Sequence, residues 1–549
     1  MARLSGAMAL LEGLLDQGVE TIFGLPGGQL DHFFDAMYHK RDRLQLIGSR
    51  HEQGAAYMAF GYARSTGKPA VYAVVPGPGV LNTAAALCTA YACNSPVLCL
   101  TGQIASAAIG KGFGELHELP DQLGSLRLLT KWAERIERAA DAPQAVARAF
   151  AAMQSGRPRP VALEMAPDIM ASEEEIRAAT EQRPVIAQPN HEAIDRAATI
   201  IAQARNPMIY VGGGAIDAAP QVRKLAELLQ APVVAFRAGR GILPDSHPLG
   251  FTLPAGHRHW PKVDVVIGIG SRMLEPLVHW GVDEALKVIR IDIDPEEISR
   301  AGEPAVGIVA DARAALSALL PAIAARLPQS QPPRDEFTAL KRAVARDIQR
   351  VQPQLGYLEA IREVLPADGI FCDEITQCGY ASWYGFPVSR PREHINCGYQ
   401  GTLGYGYATA LGVKVANPHR PVVSISGDGG FLFNVGEIAT AVQYNIALKT
   451  IVFNSNSFTN VQRQQRDWFG NRLIASDLRN PDFVRLAESF GAAGYRARSP
   501  EELRPVLKHA LQEPGPAIIE VPVKDMATPW EFIILPRVRG RQASKQAAA

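Results

Sequence analysis

Short runs of apolar residues alternate with amphipathic helical patterns along most of the chain. The runs are rich in β-branched residues and bounded by Gly or Pro, as expected of strands that are buried between two layers of helices. They occupy residues 46–48, 70–75, 96–100, 207–211, 263–269, 421–425 and 449–453. Repeated strand–helix–strand alternation predicts an α/β fold built on parallel sheets that helices flank.

Two proline-rich segments of weak periodicity, at residues 172–189 and 327–337, divide the chain into three blocks of ordinary domain size. We predict three domains, at residues 1–172, 190–327 and 345–530.

The first and third blocks end in similar segments, SGRPRPVALEMAPD and QEPGPAIIEVPVKD. Each segment contains a helix end, a Gly/Pro turn and a strand that carries a glutamate. This match predicts that the two outer domains share a fold.

Composition narrows the class of protein. The 549 residues include 56 Lys and Arg against 55 Asp and Glu, so the formal charge of +1 argues against nucleic-acid or membrane-surface binding. A hydrophobic content of 47% excludes wholesale disorder. The six cysteines form no CxxC pair, and no apolar run approaches the roughly 18 residues of a membrane span. We therefore expect a soluble cytoplasmic protein.

The most informative segment lies in the third block. Gly427-Asp428-Gly429-Gly430 follows one predicted strand, Asn454-Ser455-Asn456-Ser457 follows the next, and a helix is predicted from about residue 434 to 444. A parallel crossover would bring both turns to the carboxyl edge of the sheet. Carboxylate, hydroxyl or amide, and carbonyl oxygens suit Mg²⁺, with phosphate oxygens completing its shell. Either turn alone is more often only a turn, but the combination is specific.

This segment resembles the GDG…N motif of thiamine-diphosphate-dependent enzymes, in the branch of acetolactate synthase, benzoylformate decarboxylase and pyruvate oxidase. The resemblance implies two outer domains of thiamine-diphosphate-binding fold around a Rossmann-like middle domain. It also implies that Mg²⁺ binds the Asp428 side chain, the Ser455 side chain and the Ser457 backbone carbonyl. The family usually has Asn or Asp where Ser455 stands, so Asn456 or a water is an alternative ligand.

Glu52 begins a predicted helix after a strand, where a lone acid would only complement the helix dipole. The surrounding segment, SRHEQGAAYMAFGYARSTGKPAVYAVVPGPGVLN, resembles the family's pyrimidine-binding region. The resemblance implies that Glu52 contacts N1′ of the cofactor and is catalytic. A carboxyl that shares a proton there favours the imino tautomer, whose nitrogen can take the C2 proton. Pro26, Gly27 and Asn82 are expected in the same site.

The resemblance implies further cofactor contacts in the third block. Leu403 would wedge between the two rings of the cofactor and impose a bent conformation, and the Gly401 carbonyl would accept from the 4′-amino group. The other cofactor residues expected in this block are Thr376, Gln377, Cys378, Gly427, Asp428, Gly429, Gly430, Ser455, Ser457 and Phe458.

His117 and Gln122 are the expected catalytic polar groups over the thiazolium, although a lone histidine is more often structural. The segments ETIFGLPGGQLDHFFDAM, GILPDSHPLG and IDIDPEEI most resemble acetolactate synthase large-subunit-like proteins. That resemblance implies decarboxylation of a 2-oxo acid followed by carboligation, with pyruvate giving 2-acetolactate.

Two alternatives remain open. One is an aryl 2-oxo acid decarboxylase, or an aldehyde or 2-hydroxyacyl lyase, with the same cofactor. The other is a catalytically lapsed cofactor-binding or scaffold relative.

The middle-block segment GGGAID is not a GxGxxG fingerprint, so FAD is not expected. The resemblance further implies a homodimer or homotetramer with active sites between subunits.

Overall fold

The computed structural model describes residues 2–327 and 334–540, so residues 328–333 of the second proline-rich segment lie outside the described residues. The chain divides into two units. The first contains the described parts of Met1–Val185, Glu363–Thr376 and Ile395–Lys524, and the second those of Ile186–Arg362, Gln377–His394 and Asp525–Ala549. No helix among the described residues is long and apolar enough to cross a membrane.

A six-stranded parallel sheet forms the centre of the N-terminal domain. Its strands are, in spatial order, Gln45–Gly48, Thr21–Gly24, Ala70–Val74, Val97–Gly102, Val161–Met165 and Trp132–Ile136. Its α-helices are Gly6–Asp16, Asp31–His39, Glu52–Thr66, Pro78–Asn82, Ala84–Ala92, Gln122–Leu129, Ala142–Gln154 and Pro167–Ala171. A separate antiparallel pair joins Ala2–Ser5 to Glu173–Ile176. The central strands are buried on both faces, as the apolar runs predict.

A second six-stranded sheet forms the centre of the C-terminal domain. Its strands are, in spatial order, His394–Ile395, Ile370–Cys372, Val422–Gly427, Lys449–Asn454, Ala517–Pro522 and Ala493–Arg496. The α-helices around it are Gly406–Ala416, Asp428–Phe431, Glu437–Gln443, Thr459–Trp468, Phe483–Ser489 and Pro500–Gln512.

The two outer sheets have the same topology. When the strands of each sheet are numbered along the chain, both follow the spatial order 2-1-3-4-6-5. The predicted relation between the outer domains is therefore confirmed. The shared glutamate of the two closing segments also occupies one register position, because Glu164 lies opposite Arg135 and Glu520 lies opposite Arg496 on the edge strands.

The middle sheet lies in the second unit and has the strand order 3-2-1-4-5-6 of a Rossmann-like fold. Its parallel strands are, in spatial order, Gly250–Phe251, Val233–Ala235, Pro207–Val211, Val265–Ile269, Lys287–Asp292 and Val306–Val309. The α-helices here are His191–Ala202, Ala219–Leu229, Leu253–His259, Pro295–Ser299 and Ala312–Ala324, followed by Glu336–Ile348, Gln354–Val364 and Gln377–Gly385. The Gly214 N–H donates to the Gly270 carbonyl at 3.1 Å, so the glycine turn closes against the neighbouring strand.

One element differs from its prediction. The helix expected from about residue 434 is preceded by a short helix, Asp428–Phe431, which starts directly at the end of the strand. The Asp428 carboxylate accepts a hydrogen bond from the Gly429 N–H at 3.0 Å, which satisfies one of the unpaired donors at this helix start.

Two helices join the outer domains by direct backbone contact. A Cβ on Gly61, in Glu52–Thr66, would lie 2.0 Å from the Thr409 carbonyl oxygen, and a Cβ on Gly412, in Gly406–Ala416, would lie 1.9 Å from that of Met58. Only glycine permits so close an approach. Because one helix begins at Glu52 and the other follows the Leu403 loop, this crossing fixes both segments in the first unit.

Replacing Gly412 by alanine is expected to destabilise the protein. Alanine favours the helical state by about 1 kcal/mol relative to glycine. The overlap with the Met58 carbonyl outweighs this gain, so we expect a net loss of about 1–3 kcal/mol in the free energy of unfolding. Urea denaturation measures the difference. Gly28→Ala is the control, because a Cβ at that position would meet nothing within 4 Å. A urea midpoint of Gly412→Ala at or above that of wild type would contradict the close packing of Gly412 on Met58.

Candidate functional site

Glu52 and Asn82 meet at the carboxyl edge of the N-terminal sheet. Glu52 is the first residue of its helix, and the preceding His51 caps it by accepting from the Gln53 N–H at its Nδ1, 3.1 Å away. The Glu52 side chain is 13% exposed, and its carboxylate accepts from the Asn82 amide at 3.0 Å. The structure thus brings two predicted site residues together and leaves the carboxylate partly accessible.

Glu437 ties the start of this helix to the C-terminal domain. Its buried carboxylate accepts from the backbone N–H groups of Arg50 and His51, each at 3.0 Å, and from the Thr440 hydroxyl at 2.6 Å. Burial raises the pKa of Glu437 although these donors oppose the rise. The position of Glu52 therefore depends on a residue that the sequence analysis did not identify.

Gln122 lies beneath the Gly77 turn. Its Oε1 accepts from the Gly77 N–H at 2.8 Å, and its Nε2 donates to the Gly102 carbonyl at 3.0 Å and to Glu164 at 2.9 Å. The side chain is buried, and these bonds use its polar groups inside the domain. These bonds support the Gly77 turn, and the expected contact of Gln122 with substrate stays a prediction.

His117 takes a different position on the loop before Gln122. It is partly exposed, its φ of +67° lies in the left-handed region, and its Nδ1 lies 3.2 Å from the Gln29 Oε1. Gln29 follows Pro26 and Gly27, which are expected at the cofactor, and a Cβ on Gly27 would lie 2.4 Å from the Val75 side chain. The His117 loop and this segment thus meet at the same sheet edge.

The C-terminal domain brings together three oxygen-bearing groups that could bind a metal ion: the Asp428 carboxylate, the Ser455 hydroxyl and the Ser457 carbonyl. The buried Asp428 carboxylate accepts from three groups: the Gly429 N–H at 3.0 Å, the Ser455 N–H at 3.1 Å and the Asn480 amide at 2.8 Å. Burial raises the pKa of Asp428 above its usual range despite these donors. The Ser455 hydroxyl donates to the Ser457 carbonyl at 3.1 Å.

These donors fit Mg²⁺ bound together with a diphosphate. Adjacent ligands of an octahedral Mg²⁺ with bonds of about 2.1 Å lie about 3 Å apart. The 3.1 Å between the Ser455 Oγ and the Ser457 oxygen matches that spacing. No group of three or more His, Cys, Asp or Glu side chains in residues 2–327 and 334–540 could hold a metal ion alone. With Asp428, Ser455 and Ser457 as protein ligands, phosphate oxygens of a bound diphosphate would complete the shell.

The glycines around Asp428 are each covered by a side chain expected at the cofactor. A Cβ added to Gly427 would lie 3.5 Å from the Thr376 Cβ. One added to Gly429 would lie 2.3 Å from the Phe458 Cε1, and one added to Gly430 would lie 3.2 Å from the Leu403 Cδ1. A side chain at position 429 would overlap the Phe458 ring, and one at position 430 would overlap the Glu374 Oε1, which lies 2.8 Å from the built Cβ.

The loop that carries Leu403 is clamped from both sides. The Gly404 N–H donates to Glu374 at 2.6 Å, and the Gly404 carbonyl accepts from the Asn434 amide at 2.6 Å. Gly401 lies in an exposed turn, with a φ of +60°. The clamp presents Leu403 at a fixed height over Gly430.

Comparison with known proteins identifies the family. Three family models match: the N-terminal TPP binding domain of thiamine pyrophosphate enzymes at residues 4–125, their central domain at 194–319, and their C-terminal TPP binding domain at 374–521. The chain belongs to the thiamine pyrophosphate enzyme family.

Several relatives match this family member over nearly its full length. A probable acetolactate synthase large subunit of Methanocaldococcus jannaschii is 33% identical, over 94% of this chain and 92% of the relative. A probable 2-ketoarginine decarboxylase of Pseudomonas aeruginosa is 34% identical, over 94% of each chain. The acetolactate synthase isozyme 1 large subunit of Escherichia coli is 30% identical, again over 94% of each. The resemblance noted from the sequence and the predicted three-domain α/β fold are both confirmed.

Within this thiamine pyrophosphate enzyme, the expected residues form two separate clusters. In one cluster Glu52 accepts a hydrogen bond from Asn82. In the other, Asp428 accepts from Gly429, Ser455 and Asn480. No hydrogen bond or ion pair of the described residues joins Glu52 to Asp428. Two further residues expected at the cofactor, Gln377 and Cys378, are buried at the start of the helix Gln377–Gly385 in the second unit. Their contact with the cofactor stays a prediction.

Several supporting residues were not found from the sequence: Gln29, Glu374, Asn434, Glu437 and Asn480. Asn480 donates to both Asp428 and Asn454, at 2.8 and 2.9 Å, but no pattern around it marks this role. Glu374 had a weak signal, because it is the second residue after the buried strand Ile370–Cys372 and so stands at a sheet edge, two residues before Thr376.

Glu374 makes stability depend on pH. Burial raises its pKa from 4.5 to about 7, so the folded protein keeps this proton at pH values where the unfolded chain has released it. Stability contributed by the neutral carboxyl is therefore lost as pH rises from about 4.5 towards 7 and beyond.

Glu374→Gln is expected to remove this dependence, because the amide does not ionise. Relative to wild type, its unfolding free energy should rise by about 2–3 kcal/mol between pH 4.5 and pH 8. Urea denaturation at both pH values checks this, with the exposed Glu488→Gln as control. Parallel pH dependences of wild type and Glu374→Gln would contradict the assignment.

Proposed function

We propose that this enzyme uses thiamine diphosphate and Mg²⁺ to decarboxylate a 2-oxo acid and join the product to a second carbonyl compound, with pyruvate giving 2-acetolactate. The observation that carries the proposal is the cluster of Asp428, Ser455 and Ser457 oxygens beside glycines that Leu403 and Phe458 cover. Relatives named acetolactate synthase support the carboligation step.

Each cluster has a distinct task in this proposal. The Asp428 carboxylate, the Ser455 hydroxyl and the Ser457 carbonyl would hold Mg²⁺ and through it the diphosphate. Leu403, fixed by the clamp on Gly404, would set the conformation of the bound cofactor. When bound, thiamine diphosphate supplies a carbon nucleophile and an electron sink.

Proton handling falls to the N-terminal cluster. Glu52, oriented by Asn82, would hold and return a proton at N1′ of the aminopyrimidine, while the Gly401 carbonyl would orient the 4′-amino group. His117, partly exposed on the adjacent loop, would exchange protons with substrate.

A second candidate is decarboxylation without ligation. The relative from Pseudomonas aeruginosa, named a probable 2-ketoarginine decarboxylase, is as similar to this chain as the acetolactate synthases are. Membership of the enzyme family, together with the presence of Glu52 and Asp428 in the sequence, argues against a lapsed scaffold. We further propose a cytoplasmic protein without FAD.

We propose that a second copy of the chain completes the site, in a homodimer or homotetramer. The family resemblance implies that the N-terminal domain of one copy faces the C-terminal domain of another, so one cofactor would lie between Glu52 of one copy and Asp428 of the second. Large apolar side chains of the first unit are also exposed in the single chain: Phe113, Leu116, Phe433, Trp468 and Ile474. Covering them would favour association.

The activity test uses purified protein with thiamine diphosphate, Mg²⁺ and pyruvate. We expect release of CO₂ and formation of 2-acetolactate, and Glu52→Gln should lower turnover by at least about 10²-fold because proton exchange at N1′ is lost. Calorimetric titration should show Mg²⁺-dependent cofactor binding retained in this variant. Glu227→Gln, which removes an exposed ion pair of the middle domain, is the activity control.

Parallel assays with 2-ketoarginine and benzoylformate separate the alternatives. CO₂ from either compound but not from pyruvate would favour the decarboxylase. Absence of CO₂ from every 2-oxo acid would contradict the proposed function.

Mixing two inactive variants tests the shared site. In a mixed dimer of Glu52→Gln and Asp428→Asn chains, one site carries both substitutions and the other carries neither. Random exchange of subunits should therefore restore about a quarter of wild-type activity. Assays before and after a denaturation–renaturation mixture measure this, with each variant alone as control. A mixture as inactive as its components would show that each chain holds its own site.

A further inference from the structure

We propose that Gln29 is a positioning residue that holds the neutral His117 ring as its Nδ1–H tautomer and so leaves Nε2 as the nitrogen that exchanges protons. The role of this nitrogen in the reaction rests on the proposed function. The tautomer itself follows from the hydrogen bonds alone.

The orientation of the Gln29 amide is determined by its partners. Its Nε2 lies 2.9 Å from the Leu116 carbonyl oxygen, which can only accept, so this end of the amide must be the NH₂ group. The other end is then the carbonyl oxygen, and it lies 3.2 Å from the His117 Nδ1. A carbonyl oxygen needs a donor, so the proton of the neutral imidazole must lie on Nδ1.

The surrounding backbone allows little change in this arrangement. Gln29 is buried, and a Cβ on Gly102 would lie 2.7 Å from the backbone carbonyl oxygen of Gln29. A Cβ on Gly77 would lie 2.4 Å from the His117 carbonyl oxygen. Since Gln122 holds the Gly77 N–H at 2.8 Å, the turn that supports His117 is itself fixed.

The His117 backbone carries strain that this support must balance. A φ of +67° is unfavourable for a residue with a side chain and is often found at functional sites. The neighbouring Glu118 does not compete for the ring, because its carboxylate accepts from the N–H groups of Gly112, Gly114 and Glu115. His117 is thus held from the Gln29 side.

The second ring nitrogen is available. His117 is partly exposed, and its Nε2 makes no hydrogen bond within the described part of the chain. In the Nδ1–H tautomer this atom carries the lone pair. It can take a proton from a substrate hydroxyl to give the imidazolium and return that proton to the product, so the ring ends each turnover neutral.

His51 provides an internal contrast. Its Nδ1 accepts from the Gln53 N–H at 3.1 Å, so the neutral His51 ring must carry its proton on Nε2. Two histidines of the same domain are therefore expected in opposite tautomers.

Nitrogen NMR of protein labelled with ¹⁵N-histidine reads these tautomers directly. At a pH where both rings are neutral, His117 should show a protonated Nδ1 and a bare Nε2, and His51 the reverse. His117→Asn and His51→Asn assign the signals. A protonated Nε2 on neutral His117 in the wild-type protein would overturn the inference.

Variants of Gln29 test the link to activity. Gln29→Leu should lose the Nδ1–H preference and lower kcat about 10–100-fold. Gln29→Glu keeps the acceptor for Nδ1–H but loses the donor to the Leu116 carbonyl, so it should restore the Nδ1–H preference and only part of kcat. Gln45→Leu, at an exposed position of the same sheet, is the control. In a His117→Ala background, Gln29→Leu should change kcat less than twofold, because the residue acts through His117.

These measurements separate the inference from the proposed function. If no 2-oxo acid is turned over, the NMR spectrum still reports the tautomer. If the tautomer is found but Gln29→Leu leaves kcat unchanged, the positioning role is contradicted while the proposed function stands. An equal loss of kcat in the wild-type and His117→Ala backgrounds would likewise overturn it, because it would show a purely structural effect of Gln29.

Discussion

A buried glutamate paired with an arginine on the edge strand supports each half of the site. One oxygen of Glu164 accepts from Arg135 at 2.6 Å and the other from Gln122 at 2.9 Å. In the other domain, Glu520 accepts from Arg496 at 2.7 Å and from Asn454 at 2.8 Å. A buried carboxylate must be fully paired, so each glutamate fixes the amide beside it. Those amides in turn hold the Gly77 turn and, through Asn480, the Asp428 carboxylate.

Contacts between the outer domains turn these local supports into one framework. Gly61 and Gly412 let two helices meet backbone to backbone, and Glu437 accepts from the N–H groups just before Glu52. The catalytic carboxylate proposed for one domain is therefore positioned by the other. Glu52 and Asp428 have separate hydrogen-bond partners within one chain, and the proposed mechanism joins them through a second copy.

Local pattern was sufficient to predict the parts of the molecule that depend on neighbours in sequence. Apolar runs marked the buried strands, and turns at two strand ends marked Asp428 and the Ser455–Ser457 donors. The repeated closing segments also indicated the shared topology of the outer sheets. Residues that act across long separations carried no such mark. Asn480 reaches Asp428 from 52 positions away, and Gln122 reaches Gly77 and Glu164 from 45 and 42 positions away.

A crystal structure of the protein with thiamine diphosphate, Mg²⁺ and pyruvate would show whether two chains share one cofactor. We expect an ion that binds Asp428, Ser455 and Ser457 of one chain together with the diphosphate, Leu403 against the bent cofactor, and Glu52 of a second chain at the aminopyrimidine. An adduct of pyruvate should lie within reach of His117. A cofactor bound away from Asp428 would contradict the proposed metal site, and one that meets Glu52 and Asp428 of the same chain would contradict the shared site.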